Sequence, residues 1–190
     1  MKHRLNIVIC STRPTRIGPV FARWFDAFAR DEGSFDVSLV DLVDFNLPVF
    51  DEPKHPRLGQ YEHEHTKAWS ASVDGADAFV FVTPEYNYFA PVGFVNAITY
   101  LAREWHYKPA GFVSYGGVSG GLRAMQSEKV LLTSVKVMPI PEAVSIHMAG
   151  NAIKDGVYDA PEGNIAAAKT MLGELYRWSV ALKTMRSGAV

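Results

Sequence analysis

Leu5-Asn6-Ile7-Val8-Ile9-Cys10-Ser11-Thr12-Arg13-Pro14-Thr15-Arg16-Ile17-Gly18 is the stretch that decides the fold. An apolar, β-branched run of strand length stops at a polar loop. Beyond Gly18, residues Val20, Phe21, Trp24, Phe25 and Phe28 recur at helical spacing. Strand, short loop and helix make the first unit of a doubly wound α/β sheet, whose loops at the carboxyl edge bind ligands. This loop offers the hydroxyls of Ser11, Thr12 and Thr15, the guanidinium groups of Arg13 and Arg16, and the N–H groups of a helix start. That chemistry suits one phosphate.

The usual nucleotide loops do not fit. A P-loop needs Gly, four residues, then Gly-Lys and Ser or Thr, and this loop has no lysine. The nearest glycine spacing, Gly116 to Gly121, continues Leu122-Arg123 and fails the same test, and no G-x-G-x-x-G follows the first strand. Ser11 stands on a strand-to-helix turn, but its surroundings are not the Gly-x-Ser-x-Gly of a hydrolase elbow.

At 190 residues, 48% hydrophobic and 21% charged, the chain has the size and composition of one globular domain spanning 1–190. A net charge of −1 gives no broad footprint for nucleic acid, and no apolar run has membrane-spanning length. Met1-Lys2-His3-Arg4 leads into the first strand without a signal-peptide pattern, and one cysteine makes no internal disulfide, so the expected compartment is the cytoplasm.

Further strands are expected at Asp36–Leu42, Ala78–Thr83, Ala110–Tyr115 and near Ala143–His147. Helices are expected over Glu62–Asp74, after Pro91, from Gly121 to about Val135, and over Glu162–Met185. The run Ala78-Phe79-Val80-Phe81-Val82-Thr83 is apolar on both faces and reads as a central strand. The helix after Pro91 should carry Phe94, Ile98, Leu101 and Trp105 on one face. Phe45–Tyr61, with three prolines, reads as an irregular excursion whose Leu47, Val49 and Phe50 need packing partners, and Ala149–Gly163 as a loop. The regular alternation predicts a flavodoxin-like three-layer fold around a five-stranded parallel sheet.

Two more loops at the same sheet edge are unusual. Pro84-Glu85-Tyr86-Asn87-Tyr88-Phe89-Ala90-Pro91 stiffens the backbone and offers aromatic stacking surface. In Ser114-Tyr115-Gly116-Gly117-Val118-Ser119-Gly120-Gly121, four glycines let the main chain approach a planar ligand. A side chain at Gly116 or Gly117 is expected to hold that main chain away. Phosphate at one end and a flat heteroaromatic at the other describe FMN.

These motifs make the chain similar to the NADPH-dependent FMN reductase family, the flavodoxin-like quinone, azo and chromate reductases. The matching residues are Ser11-Thr12-Arg13-Pro14 with Arg16 and Gly18, Pro84-Glu85-Tyr86-Asn87, Asn96-Ala97, and Tyr115-Gly116-Gly117 with Gly120-Gly121. Cys10 replaces the usual glycine before Ser11, and Val95 a frequent lysine. The resemblance implies that Ser11, Arg13, Arg16, Ile17 and Gly18 cradle the FMN phosphate. Pro84, Glu85, Tyr86, Asn87, Ser114, Tyr115, Gly116 and Gly117 then border the ring. It further implies NADPH or NADH as co-substrate, ping-pong hydride transfer through flavin N5 without a catalytic side chain, and a small acceptor such as a quinone, azo compound or flavin. No metal is expected, and the assembly is a homodimer or homotetramer. The alternatives are a flavodoxin-type electron carrier, against which near-neutral charge speaks, and a non-catalytic flavin-binding regulator.

Three residues have blander readings. Cys10 reads as a small buried apolar residue. His63 and His65, two apart on the expected helix, point to different faces and so do not chelate one ion. Glu85 reads as ordering its turn or an adjacent subunit.

Overall fold

The structure is a computed structural model that describes residues 2–188. Strands β1 (His3–Ile9), β2 (Phe35–Asp41), β3 (Ala78–Pro84), β4 (Pro109–Tyr115) and β5 (Met138–Ile146) form one parallel sheet in the order β2-β1-β3-β4-β5. This is the expected flavodoxin-like order. Every residue of β3 is buried, as its double-faced apolar pattern requires.

Alternate residues of β3 feed two cores. Ala78, Val80 and Val82 pack with α1 (Gly18–Glu32) and α5 (Glu162–Arg186). Phe79 and Phe81 pack with α2 (Glu64–Asp74), α3 (Val92–Thr99) and α4 (Leu122–Ser134). Two layers of helices over a parallel sheet follow from that alternation.

Register brings the functional loops together. Ile9 lies beside Val82 and Pro84 beside Tyr115, while Glu85 N–H donates to Tyr115 O at 3.1 Å and Gly116 N–H to Ile146 O at 3.2 Å. The chain therefore leaves β1, β3, β4 and β5 along one edge.

Several boundaries differ from expectation. Strand β5 starts five residues earlier, at Met138, and carries Pro139 and Pro141 with a register shift opposite Ala110 and Phe112. Prolines lack a ladder donor and obscure a strand in the sequence, yet an edge strand with an irregular register tolerates them. Within Ala149–Gly163, expected as loop, a hairpin joins β6 (Ile153–Lys154) to β7 (Val157–Tyr158). Its Asp155-Gly156 turn has φ of 48° and 76°, the positive-φ pair that Asp-Gly supplies in tight hairpins.

Helix α3 stops at Thr99, and Arg103–Trp105 forms a separate 3₁₀ turn. Leu101 and Trp105 are buried all the same, so the apolar spacing marked the core rather than one continuous helix. In the excursion, Leu47 and Phe50 pack against the second core, whereas Val49 is 85% exposed. Asn96 pins this segment, donating to Pro48 O at 2.6 Å and accepting from Phe50 N–H at 3.0 Å. Ile165, near the start of α5, is 43% exposed. Among the described residues, no helix is long and apolar enough to cross a membrane.

Candidate functional site

A cleft of about 330 Å³ lies along the carboxyl edge. Arg13 and Ile17 enter it from the first loop, Pro84, Glu85 and Tyr86 from the second, and Tyr115, Gly116 and Gly117 from the third. A fourth wall, Met148–Asn151, comes from the segment after β5. Nothing in the composition of those four residues marked them. Their one sequence signal was position, directly after the last strand at the ligand-binding edge.

Beneath the cleft, Ser11, Gly18 and Tyr115 meet at one point. A Cβ at Gly18 would stand 2.5 Å from Ser11 Oγ and 2.6 Å from the Tyr115 hydroxyl, too close for either to remain in place. Both hydroxyls are buried and face one another, and neither has any other hydrogen-bond partner. A buried hydroxyl left wholly unpaired costs about 1–3 kcal/mol, and this pair keeps hydrogen-bonding capacity that only a third group can use. Burial also pushes the Tyr115 phenol above its ordinary range, keeping it a neutral donor. No side chain caps α1, whose first turn opens toward this point.

The two arginines part company. Arg13 is exposed and lines the cleft. Arg16 turns to Asp41 at the end of β2, with Nη2 2.7 Å from Oδ2. Ser114 lies outside the cleft lining. Its hydroxyl donates to Gly120 O at 2.8 Å and meets Ser145 Oγ at 3.2 Å, so it shapes the glycine loop.

Glu85 joins two loops. Its carboxylate accepts from Ser119 Oγ at 2.9 Å, Arg123 N–H at 3.0 Å and Arg123 Nε at 2.8 Å. Burial would raise this carboxyl, but the Arg123 and Ser119 bonds outweigh it and hold the group below the usual range. The Arg123 guanidinium also lies 3.7 Å from the centre of the Tyr88 ring. Asn87 and Tyr88 take φ of 52° and 64°, and Tyr86 and Phe89 exchange backbone bonds across them, closing a tight turn. The expected turn-ordering part of Glu85 is thus visible within one chain.

The glycines divide differently from expectation. Gly117 has nothing within 4 Å of its would-be Cβ, whereas a Cβ at Gly116 would crowd Gly121 N at 3.0 Å as expected, and neither residue has positive φ. Gly120 and Gly121 do, at 59° and 83°, and a Cβ at Gly121 would stand 2.6 Å from Tyr115 N. Backbone freedom is required where the loop re-enters α4, not where it faces the cleft.

Behind the second loop, Cys10 is fully buried and burial pushes its thiol well above the ordinary range, in keeping with an inert apolar role. Near it, Glu128 of α4 is also fully buried. One of its oxygens accepts from Thr83 Oγ1, the other has no partner, and burial pushes its carboxyl up to about 8. No sequence pattern marks Glu128, which sits amid ordinary helix-forming residues.

The expected separation of His63 and His65 does not hold. Helix α2 begins at Glu64 and His63 precedes it in extended conformation, so helical spacing does not govern the pair. The two rings stack at 5.1 Å, and His65 Nε2 lies 3.1 Å from Asp51 Oδ1. Among the described residues, no group of three or more His, Cys, Asp or Glu is placed to hold a metal ion.

Comparison with known proteins agrees with this geometry. The family model described as NADPH-dependent FMN reductase matches residues 4–151, which includes all four cleft loops. An NAD(P)H-dependent FMN reductase of Schizosaccharomyces pombe is 39% identical over 82% of this chain and 78% of its own. Another, from a Nectria species, is 34% identical over 81% of this chain and 82% of its own. The solved structure of FerB, a flavoenzyme NAD(P)H:(acceptor) oxidoreductase from Paracoccus denitrificans, superposes with a TM-score of 0.73. At 22% identity over 94% of this chain and 98% of its own, it shows the shared fold. The chain belongs to the NADPH-dependent FMN reductase family and is an oxidoreductase.

Proposed function

We propose that this single domain, residues 1–190, is an FMN-dependent NAD(P)H oxidoreductase that reduces quinones, azo compounds, flavin or similar small acceptors. The observation that carries the reading is the pair of hydroxyls, Ser11 Oγ and Tyr115 OH, buried at the open head of α1 with no partner beyond each other. With Arg13 in the cleft beside them, they present donors to a compact polyanion, and the family supplies FMN as that group. The residues present therefore fit the cofactor.

In this reading Ser11, Arg13, Ile17 and Gly18 take the phosphate, while Arg16 braces the same loop through Asp41. Pro84, Glu85, Tyr86 and Asn87 border one side of the ring, and Tyr115, Gly116 and Gly117 the other. Ser114 acts at one remove, through Gly120 O. Bound FMN supplies the hydride-accepting and hydride-donating centre.

The chain supplies placement and polarity. Gly116 N–H is spent on Ile146 O, whereas Gly117 N–H makes no such bond among the described residues and remains a donor at the cleft wall. The Glu85–Arg123 bonds fix the separation of the second and third loops. Cytoplasmic location and assembly as a homodimer or homotetramer belong to the same reading. Exposed Val49 and Val92, which line one small groove, support a face that a second copy covers.

The test is flavin selectivity. Purified protein should bind FMN at least about a hundredfold more tightly than riboflavin, since each charge-assisted phosphate bond contributes about 1.5–3 kcal/mol, and should oxidise NADPH in air. Equal affinity for the two flavins would remove the phosphate assignment. Arg13→Ala should weaken FMN binding by about one to two orders of magnitude for the same reason. Turnover per bound flavin should be preserved, read at saturating FMN. Lost turnover at full occupancy would place Arg13 among the groups that touch the reacting partners instead.

A further inference from the structure

The cleft ends at Asn151. That residue also lines a second basin of about 430 Å³, walled by the end of β5, the β6–β7 hairpin and the start of α5. Two opposite charges stand on its walls, Lys154 on the hairpin and Asp159 just beyond it. Both are exposed, and neither forms an ion pair among the described residues. Of the other charges along this edge, Arg16 pairs with Asp41 and Arg123 with Glu85, while Arg13 faces the first basin.

The position of this basin gives the pair a use. For hydride transfer a nicotinamide must lie against the flavin in the first basin. Its diphosphate tether then obliges the adenosine half to lie on adjoining surface. A carboxylate is the acceptor that ribose hydroxyls favour, and a cation is what a 2′-phosphate requires. The hairpin provides one of each, beside the residue that the two basins share.

We propose that the second basin receives the adenosine ribose of the pyridine nucleotide, with Asp159 accepting from its hydroxyls and Lys154 meeting the 2′-phosphate where one is present. The proposal rests on the first basin being the FMN site. Each side chain favours one coenzyme: Lys154 favours NADPH, and Asp159 favours NADH and repels the extra phosphate.

The experiment compares Lys154→Gln and Asp159→Asn with the parent, using FMN-loaded protein and both coenzymes. Lys154→Gln should raise KM for NADPH about tenfold, the scale of one exposed charge-assisted contact, with KM for NADH and both kcat values little changed. Asp159→Asn should shift the preference the other way, raising KM for NADH and lowering it for NADPH. Calorimetric titration with 2′,5′-ADP should show the same loss in Lys154→Gln without any turnover. Equal shifts for both coenzymes, or none in either variant, would overturn the assignment. A parent protein that holds no FMN would overturn the reading of the first basin instead, while the 2′,5′-ADP titration would still decide the second.

Discussion

Replacing Glu128 by glutamine is expected to remove most of the fall in stability between pH 5 and 8. The native carboxyl is pushed up to about 8 by burial, against an ordinary value of 4.5 for a glutamate in the unfolded chain. Between those values the unfolded chain has released a proton that the native chain retains. The unfolded state then binds fewer protons, so the free energy of unfolding declines by about 1.4 kcal/mol per pH unit across that window. The total is on the order of 4 kcal/mol, a large share of the stability of one domain.

Glutamine keeps the shape and the acceptor for Thr83 Oγ1 but has no proton to lose. Its amide adds a donor where Glu128 already leaves one oxygen unpartnered, so the variant can be less stable at pH 5. The slope carries the prediction. Urea unfolding at pH 5, 6, 7 and 8, with FMN at the same saturation in both proteins, measures it. Parallel slopes would mean that Glu128 ionises in the native state. Because Thr83 directly precedes Pro84, ionisation above pH 8 should also loosen the second cleft loop.

Gly18→Ala should lower FMN affinity by about two to four orders of magnitude, and Gly117→Ala should leave it essentially unchanged. The methyl group at position 18 must displace Ser11 Oγ and the Tyr115 hydroxyl, the two buried donors. Two phosphate bonds at about 1.5–3 kcal/mol each set that range. At position 117 a methyl group meets open space, and the backbone there does not need positive φ. Fluorescence titration with FMN measures both variants, and a circular dichroism melt confirms that each is folded. Parent-like binding by Gly18→Ala would show that the phosphate does not sit over Ser11 and Tyr115.

The βα order, the central place of Ala78–Thr83 and the chemistry of three edge loops were legible in the sequence because each is a short-range pattern. Strand periodicity, helical spacing and loop composition are set within a few residues. The two prolines of β5 and the isolated Asp-Gly of the hairpin are weaker signals, so β5 runs longer than its apolar pattern and the hairpin lies within a span that reads as loop.

Which side chains face the cleft is a different matter. Arg16 and Asp41 lie 25 positions apart, and only the parallel pairing of β1 with β2 brings them to 2.7 Å, withdrawing one of two apparently equivalent arginines. Glu85 and Arg123 are 38 apart and meet because β3 and β4 end at the same edge. Ser114 spends its hydroxyl on Gly120, and Met148–Asn151 becomes a wall because β5 runs beside β4. The sequence by itself determined the sheet, its order and the chemical inventory of its edge. Tertiary structure decided which of those groups remain free for a ligand, because hydrogen-bond partners are settled by strand register across the sheet, which no local pattern encodes.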